Sequence, residues 1–115
     1  AMQEISRQQV QRLLIRKTAC LVDVLTEQEF RDAHLPCAIN VPFGEGFPAR
    51  VKGALPDMNT PVIVYSADGG SGLSSRAAEQ LDRLGYTKVF HYAAGKADWQ
   101  SAGLRLDRMA ATDPA

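Results

Sequence analysis

A serine, Ser66, immediately follows the segment of the chain that most resembles a β-strand. The stretch "PVIVYSADGGSGLSS", from Pro61 to Ser75, begins as a short apolar, β-prone run and continues as a loop with three glycines. In α/β enzymes the residue just past such a strand often carries the nucleophile. Ser66 therefore has three interpretations: a nucleophile, an anion-binding hydroxyl, or the remnant of a site that once held another residue.

The loop after Ser66 has the composition of an anion-binding site. Glycines let several backbone N–H groups turn toward one point, and the following helix adds the positive end of its dipole. Ordinary surface turns share this composition. The segment is not a P-loop, because no Gly-Lys-Ser/Thr follows, and Ser66 lacks the flanking glycines of a hydrolase elbow. The predicted anion-binding loop consists of Ala67, Asp68, Gly69, Gly70, Ser71, Gly72, Leu73, Ser74 and Ser75.

A hydrolase that uses Ser66 on an ester or phosphate is the least favoured interpretation. A serine nucleophile needs an adjacent general base, and the loop offers only Asp68 and no histidine.

Capping patterns predict where helices begin. Ser6 and Thr26 each precede a glutamine or glutamate by three residues, which is the pattern of a capping box. A further helix follows the loop, with Ser74 or Ser75 predicted as its N-cap and Gly85 as its C-terminal glycine. A short last helix is expected within "AGKADWQSAGL".

Strands alternate with these helices. Apolar, β-prone runs predict strands at 19–24, 38–41 and 62–65, and "KVFHY" predicts a fourth. Such alternation predicts an α/β fold with a mostly parallel central sheet and helices on both faces. Ligands of such sheets bind at the carboxyl ends of the strands, which is where the Ser66 loop falls.

Composition excludes several partners. The 115 residues carry no net charge and their basic residues are scattered, so we expect no nucleic acid partner. Apolar runs fall far short of the roughly 20 residues of a membrane span, and the first residues do not resemble a secretory signal. Cys20 and Cys37 are expected to be free thiols in a reducing cytoplasm. No metal-ligand spacing is present, and no cofactor is expected.

Four segments, in order, resemble the rhodanese-like (sulfurtransferase homology) domain. They are "LVDVLTEQEFRDAHLPCAINVP", "PVIVYS", "SSRAAEQLDRLGYTKVFHY" and "GKADWQSAGL". The second is similar to the strand that delivers the family's catalytic cysteine, and the last to its closing Gly-Gly-x-x-x-Trp-x-x-Ala-Gly-Leu motif. The resemblance implies a single rhodanese-like domain over residues 1–106, with 107–115 as a frayed tail.

The resemblance implies transfer of a sulfane sulfur through a cysteine persulfide, but the cysteine position is Ser66. The loop length is similar to that of a subgroup whose second cysteine falls on Ser71. Asp23 and His34 match family positions, and Arg76 begins the helix after the loop, either within reach of an anion or as a solvated surface arginine. All three are expected to support the loop. Asp23 would bond backbone N–H groups of the loop, and His34 would be packed and hydrogen-bonded. Cys37 takes the place of a family glycine, as a half-buried inert thiol or a relocated sulfur carrier.

Two explanations of the serine stay open at this point. The domain is a naturally inactive member that binds a thiosulfate-like anion or a thiol or persulfide protein partner. Alternatively, it is an active thiosulfate:thiol or thiosulfate:cyanide sulfurtransferase in which a Cys→Ser substitution has been introduced at position 66. Serines at both expected cysteine positions favour the first explanation, since a single substitution changes only one.

Overall fold

The computed structural model describes residues 2–70 and 72–109, which form alternating strands and helices. In chain order the elements are β1 (Met2–Glu4), α1 (Arg7–Arg16), β2 (Cys20–Asp23), α2 (Glu27–Asp32), β3 (Ile39–Asn40), α3 (Phe47–Ala54), β4 (Val62–Tyr65), α4 (Leu73–Leu84), β5 (Val89–His91) and α5 (Gly95–Ser101). None of these helices is long and apolar enough to cross a membrane.

The five strands form one sheet of order β1-β5-β4-β2-β3, and every neighbouring pair is parallel. This confirms the predicted α/β class, with a sheet that is wholly rather than mostly parallel. The chain leaves β2 toward β3 on one side and leaves β4 toward β5 on the other. The carboxyl ends of β2 and β4 therefore flank the point where the connections diverge, which is where open parallel sheets bind ligands.

Helices cover both faces of the sheet, as predicted, because the strands are apolar on both sides. One core cluster packs α3 and α4 on the sheet and includes Val22, Val64, Phe47, Val51, Ala77, Ala78 and Leu81. The other packs α1 and α5 on the opposite face and includes Val10, Leu21, Ile63, Tyr65, Tyr92 and Trp99. Burying these two layers fixes β4 in the middle of the domain.

The capping predictions are right for two helices and wrong for a third. Ser6 and Thr26 form complete capping boxes with Gln9 and Glu29, as the sequence predicts. The N-cap of α4 is Gly72, at a φ of 72°, rather than Ser74 or Ser75. The physical reason is that the hydroxyl of Ser74 is turned away from the helix end to the ring of a buried histidine.

The two ends of the described chain differ from the prediction. Residues 2–4 are polar and short, yet they pair with β5 as an edge strand. At the other end Asp107 exchanges two backbone hydrogen bonds with His34, and the Met109 N–H donates to the Arg31 carbonyl. The tail predicted to fray from residue 107 is therefore hydrogen-bonded to the domain as far as residue 109. The rest of that tail, 110–115, lies outside the described residues.

Candidate functional site

Ser66 lies at the carboxyl end of the central strand and is buried, with only 1% of its surface exposed. Its hydroxyl donates to the backbone carbonyl of Asp68 over 3.3 Å, which is long for a bond between oxygens. A carbonyl oxygen cannot take up a proton at neutral pH, so this contact does not activate the hydroxyl. The structure therefore places Ser66 at the floor of the loop, bonded to an acceptor that is not a base.

The start of the loop is held by the first turn of α5. The Lys96 N–H donates to the Ser66 carbonyl over 3.0 Å, and the Ala97 N–H donates to the Ala67 carbonyl over 2.8 Å. Gly95 permits this approach, because a Cβ at its position would lie 2.5 Å from the Ser66 oxygen. Gly95 also has a φ of 67°, which other residues rarely adopt. These contacts explain why the closing "GKADW" segment matters to a loop some thirty residues earlier.

Beyond Ser66 the loop is open to solvent. Ala67, Asp68, Gly69 and Gly70 are all exposed. The Gly70 N–H donates to the Asp68 carboxylate over 2.8 Å, so the loop already holds one negative group of its own. Ser71, predicted as part of the anion-binding loop, lies outside the described residues. Of the remaining predicted members, Gly72 and Leu73 begin α4 and Ser75 is half-buried in its first turn.

Ser74 has a partner that sequence reasoning missed. Its Oγ lies 2.8 Å from Nε2 of His91, and both residues are buried. Burial lowers the pKa of His91, and the nearby Glu4 carboxylate partly opposes that shift. Only the parallel pairing of β5 beside β4 brings the histidine under the helix start, so no local sequence pattern indicates the contact.

Asp23 is buried at the end of β2 and is bonded on both carboxylate oxygens. Oδ1 accepts the Leu25 N–H over 2.9 Å, and Oδ2 accepts the Tyr65 hydroxyl over 2.7 Å. Burial raises the pKa of Asp23, opposed by these two donors and by the positive charge of Lys96. Asp23 was predicted to bond N–H groups of the 66–75 loop, but the backbone N–H that it accepts belongs to the segment after β2.

Tyr65 connects this carboxylate to the floor of the site. Its hydroxyl donates to Asp23 and accepts the Leu35 N–H over 3.0 Å, and its ring is wholly buried. Burial and the Asp23 charge raise the pKa of Tyr65. Through the Tyr65 hydroxyl, the carboxyl ends of β2 and β4 are bonded to each other and to the segment at Leu35. Because Tyr65 directly precedes Ser66, these bonds lie beneath the loop.

Among the described residues, neither His34 nor Arg76 is hydrogen-bonded to Ser66. Nδ1 of His34 lies 2.8 Å from the Phe30 carbonyl, and its ring stacks on that of Phe30 at 4.0 Å. His34 is therefore packed and hydrogen-bonded. Arg76 is exposed on the first turn of α4. Lys96, which sequence reasoning missed, directs its Nζ to the Ala33 carbonyl over 2.8 Å rather than into the loop.

The cysteines are both free. Cys20 is half-buried, and burial raises the pKa of its thiol. Cys37 is exposed rather than half-buried as predicted, because it occupies the third position of a tight turn with a φ of 71°. Within residues 2–70 and 72–109 no group of three or more His, Cys, Asp or Glu side chains could hold a metal ion.

Comparison with known proteins agrees with this architecture. The model of the family described as "Rhodanese-like domain" matches residues 6–102. The chain is 37% identical over 68 residues to the thiosulfate sulfurtransferase PspE of Escherichia coli strain K12, covering 59% of this chain and 62% of that protein. It is 30% identical over 104 residues to the uncharacterized protein YibN of the same strain, covering 90% of this chain and 71% of YibN.

A solved structure gives the same result. The crystal structure of a thiosulfate sulfurtransferase from Pseudomonas aeruginosa is 30% identical, with a TM-score of 0.81 over 93% of this chain and 20% of that one. A parallel α/β sheet with a glycine loop after its central strand defines the class of fold. Within that class, the chain belongs to the rhodanese-like domain family. It spans less than two thirds of PspE and one fifth of the Pseudomonas protein.

Proposed function

We propose that this domain does not transfer sulfur through residue 66 and instead binds a small sulfur-containing anion or a thiol or persulfide protein partner. The observation that carries the proposal is the buried Ser66 hydroxyl at the floor of the loop, with the Asp68 carbonyl as its described partner. On this view the domain is a binding or regulatory module. Its cytoplasmic location, expected from the free cysteines, stays a prediction.

The proposal follows from the difference between sulfur and oxygen. In a sulfurtransferase a cysteine thiolate attacks the outer sulfur of thiosulfate, forms a sulfur–sulfur bond and releases sulfite. A free thiol has a pKa of about 8.5, so a few per cent is already thiolate at neutral pH. A serine hydroxyl needs a base, and an oxygen atom cannot become a persulfide. The glycine loop and the N-terminus of α4 remain suited to an anion without that chemistry.

The alternative is an active sulfurtransferase whose native residue at position 66 is cysteine. It is supported by the contacts around the site, because Gly95, Lys96 and Ala97 hold the backbone of residues 66 and 67 in place whatever the side chain of residue 66. The predicted long-loop subgroup, with serines at both expected sulfur positions, favours natural divergence. The coding sequence at position 66 distinguishes the two.

Incubation with thiosulfate and cyanide tests the proposal. The chain with Ser66 should form no thiocyanate above the level of a heat-denatured sample, because no persulfide can form at residue 66. Turnover at an ordinary enzyme rate would contradict the proposal. A Cys37→Ser variant is the matched control, since Cys37 is an exposed thiol in the same chain. If thiocyanate forms with the unmodified chain but not with Cys37→Ser, the sulfur was carried by Cys37 rather than by the loop.

A further inference from the structure

The loop that is suited to an anion contains an anion already. Asp68 lies two residues after Ser66, and its carboxylate accepts the Gly70 N–H over 2.8 Å. Because the Gly70 N–H is bonded to this carboxylate, it is not available to donate to a bound ligand. Both residues are exposed, so the carboxylate stands in the solvent-facing part of the loop rather than in the core.

The carboxylate is also close to the floor of the site. The Ser66 hydroxyl donates to the backbone carbonyl of the same Asp68 over 3.3 Å. One aspartate spans only a few ångströms, so its carboxylate lies within roughly 8 Å of the Ser66 oxygen. At that separation a charge repels a bound anion through partly solvated surroundings, and the repulsion grows in proportion to the ligand's charge.

Lys96, a cation whose backbone contacts the loop, is not paired with Asp68. Lys96 donates its backbone N–H to the Ser66 carbonyl, but its Nζ is bonded to the Ala33 and Glu29 carbonyls of the α2 end. Arg76 is exposed on the first turn of α4. Among the described residues neither of these cations is paired with Asp68, whose charge therefore opposes a bound anion.

We propose that Asp68 is a specificity-determining residue that makes this loop select anions by charge, favouring monoanionic or neutral sulfur groups over dianions such as thiosulfate. This inference rests on the proposed function, because it refines what the same loop binds. A persulfide or thiol group on a partner carries at most one negative charge at the reacting end. The loop is thereby better matched to such a group than to a free inorganic dianion.

An Asp68→Asn variant isolates the charge. Asparagine keeps a carbonyl oxygen that can accept the Gly70 N–H, so the turn is preserved while the negative charge is removed. Asp57→Asn is a matched control, since Asp57 accepts the Asn59 N–H over 2.9 Å in the same kind of turn. Asp57 precedes β4, at the end of the sheet opposite the loop.

The probes are sulfate and methanesulfonate, a tetrahedral dianion and monoanion that do not react with thiols. Their dissociation constants are measured by titrating the amide resonances of Gly69 and Gly70, at constant ionic strength, in the unmodified chain and both variants. In Asp68→Asn we expect methanesulfonate to bind about threefold tighter. Sulfate should bind about tenfold tighter, because doubling the charge squares the factor. At about 1 M ionic strength both gains should largely disappear.

The outcomes separate the two proposals. Equal anion binding in Asp68→Asn and the unmodified chain overturns the charge selection but leaves anion binding intact. A gain of the same size in Asp57→Asn overturns it as well, since the effect would be one of net charge. Binding only after Asp68→Asn supports the selection and removes small dianions from the proposed ligands. Absence of binding in every variant overturns the charge selection and the small-anion part of the proposed function, and leaves only a protein partner among the proposed ligands.

Discussion

The two ends of the Ser66–Ser75 loop each carry a buried serine, and the two serines have opposite surroundings. Ser66 donates a long bond to a backbone carbonyl, whereas Ser74 lies 2.8 Å from an imidazole nitrogen of His91. Among the described residues, the Ser66 hydroxyl therefore has no base as its partner, whereas the hydroxyl beside an imidazole is buried under the start of α4. The comparison teaches that burial alone does not give a hydroxyl a base: Ser66 is bonded to the loop's own backbone, while Ser74 joins the far end of the loop to β5.

The largest effect is expected from Gly95→Ala, which disturbs the Ser66 end alone. The added Cβ would lie 2.5 Å from the Ser66 carbonyl oxygen, and the φ of 67° is unfavourable for alanine. Overpacking and backbone strain together should lower the free energy of unfolding by roughly 3 kcal/mol. Gly103→Ala is the control, because Gly103 has a similar φ of 80° with nothing within 4 Å. Urea denaturation should show that it loses only about 1 kcal/mol. Equal losses in the two variants would refute the close contact.

Tyr65→Phe removes the hydroxyl that holds the ends of β2 and β4 together below Ser66. Loss of a bond to the buried Asp23 carboxylate should cost about 2 kcal/mol. Tyr86→Phe is matched, since that buried hydroxyl bonds only neutral carbonyls, at Leu55 and Val51, and should cost about 1 kcal/mol.

The loss in Tyr65→Phe should also depend on pH. Burial already raises the pKa of Asp23, and removing the Tyr65 donor raises it further. The folded variant then binds this proton more tightly than the unfolded chain does, so Asp23 favours the fold at low pH and that contribution is lost as pH rises through the folded pKa. The difference in unfolding free energy between Tyr65→Phe and the unmodified chain should therefore be smaller at acid pH than at neutral pH. A loss that grows toward acid pH would contradict the assigned Tyr65–Asp23 bond.

Truncating the two serines compares the loop ends directly. Ser74→Ala leaves a buried histidine nitrogen without its partner and should cost about 1–2 kcal/mol. Ser66→Ala removes only a long bond to a carbonyl and should cost about 0.5 kcal/mol or less. Thermal and urea unfolding of both variants measure the difference. A larger loss for Ser66→Ala would mean that its hydroxyl has a stronger partner than Asp68.

His91 should give the smallest effect, visible only as a pH dependence. Because burial lowers its pKa, the unfolded chain binds this proton more readily than the folded one. Its contribution to stability is therefore present above the unfolded pKa of about 6.5 and is lost as pH falls toward the folded value. Between pH 7 and pH 5 the unmodified chain should lose more stability than His91→Gln, measured by urea unfolding. Parallel curves would show that His91 is not held neutral.

Local patterns were sufficient for most of the fold. Two capping boxes, at Ser6 and Thr26, were predicted with their partners, because helix starts depend on residues three apart. Strand β4 was predicted to the residue, since its apolar run is bounded by proline and serine. The edge strand β1 was missed, because its polar residues gain a partner only when β5 is already in place.

The place of Ser66 in the fold was predicted, but its contacts were not. Ser66 at the end of the central strand follows from the strand pattern and the family resemblance. The donors from Lys96 and Ala97, the Tyr65–Asp23 bond and the Ser74–His91 pair all join residues that are far apart in sequence. Such contacts depend on strand order and helix placement, which single-sequence patterns do not specify.

Peptide mass analysis of a Ser66→Cys variant after thiosulfate treatment tests most directly the proposal that residue 66 occupies the nucleophile position of the family. With Cys37→Ser added to remove the exposed thiol, the peptide containing position 66 should gain the mass of one sulfur. The same peptide from the chain with Ser66 should gain none. A folded variant whose cysteine at position 66 stays unmodified both with Asp68 and with Asp68→Asn, or a sulfur found on Ser66 itself, would contradict the assignment.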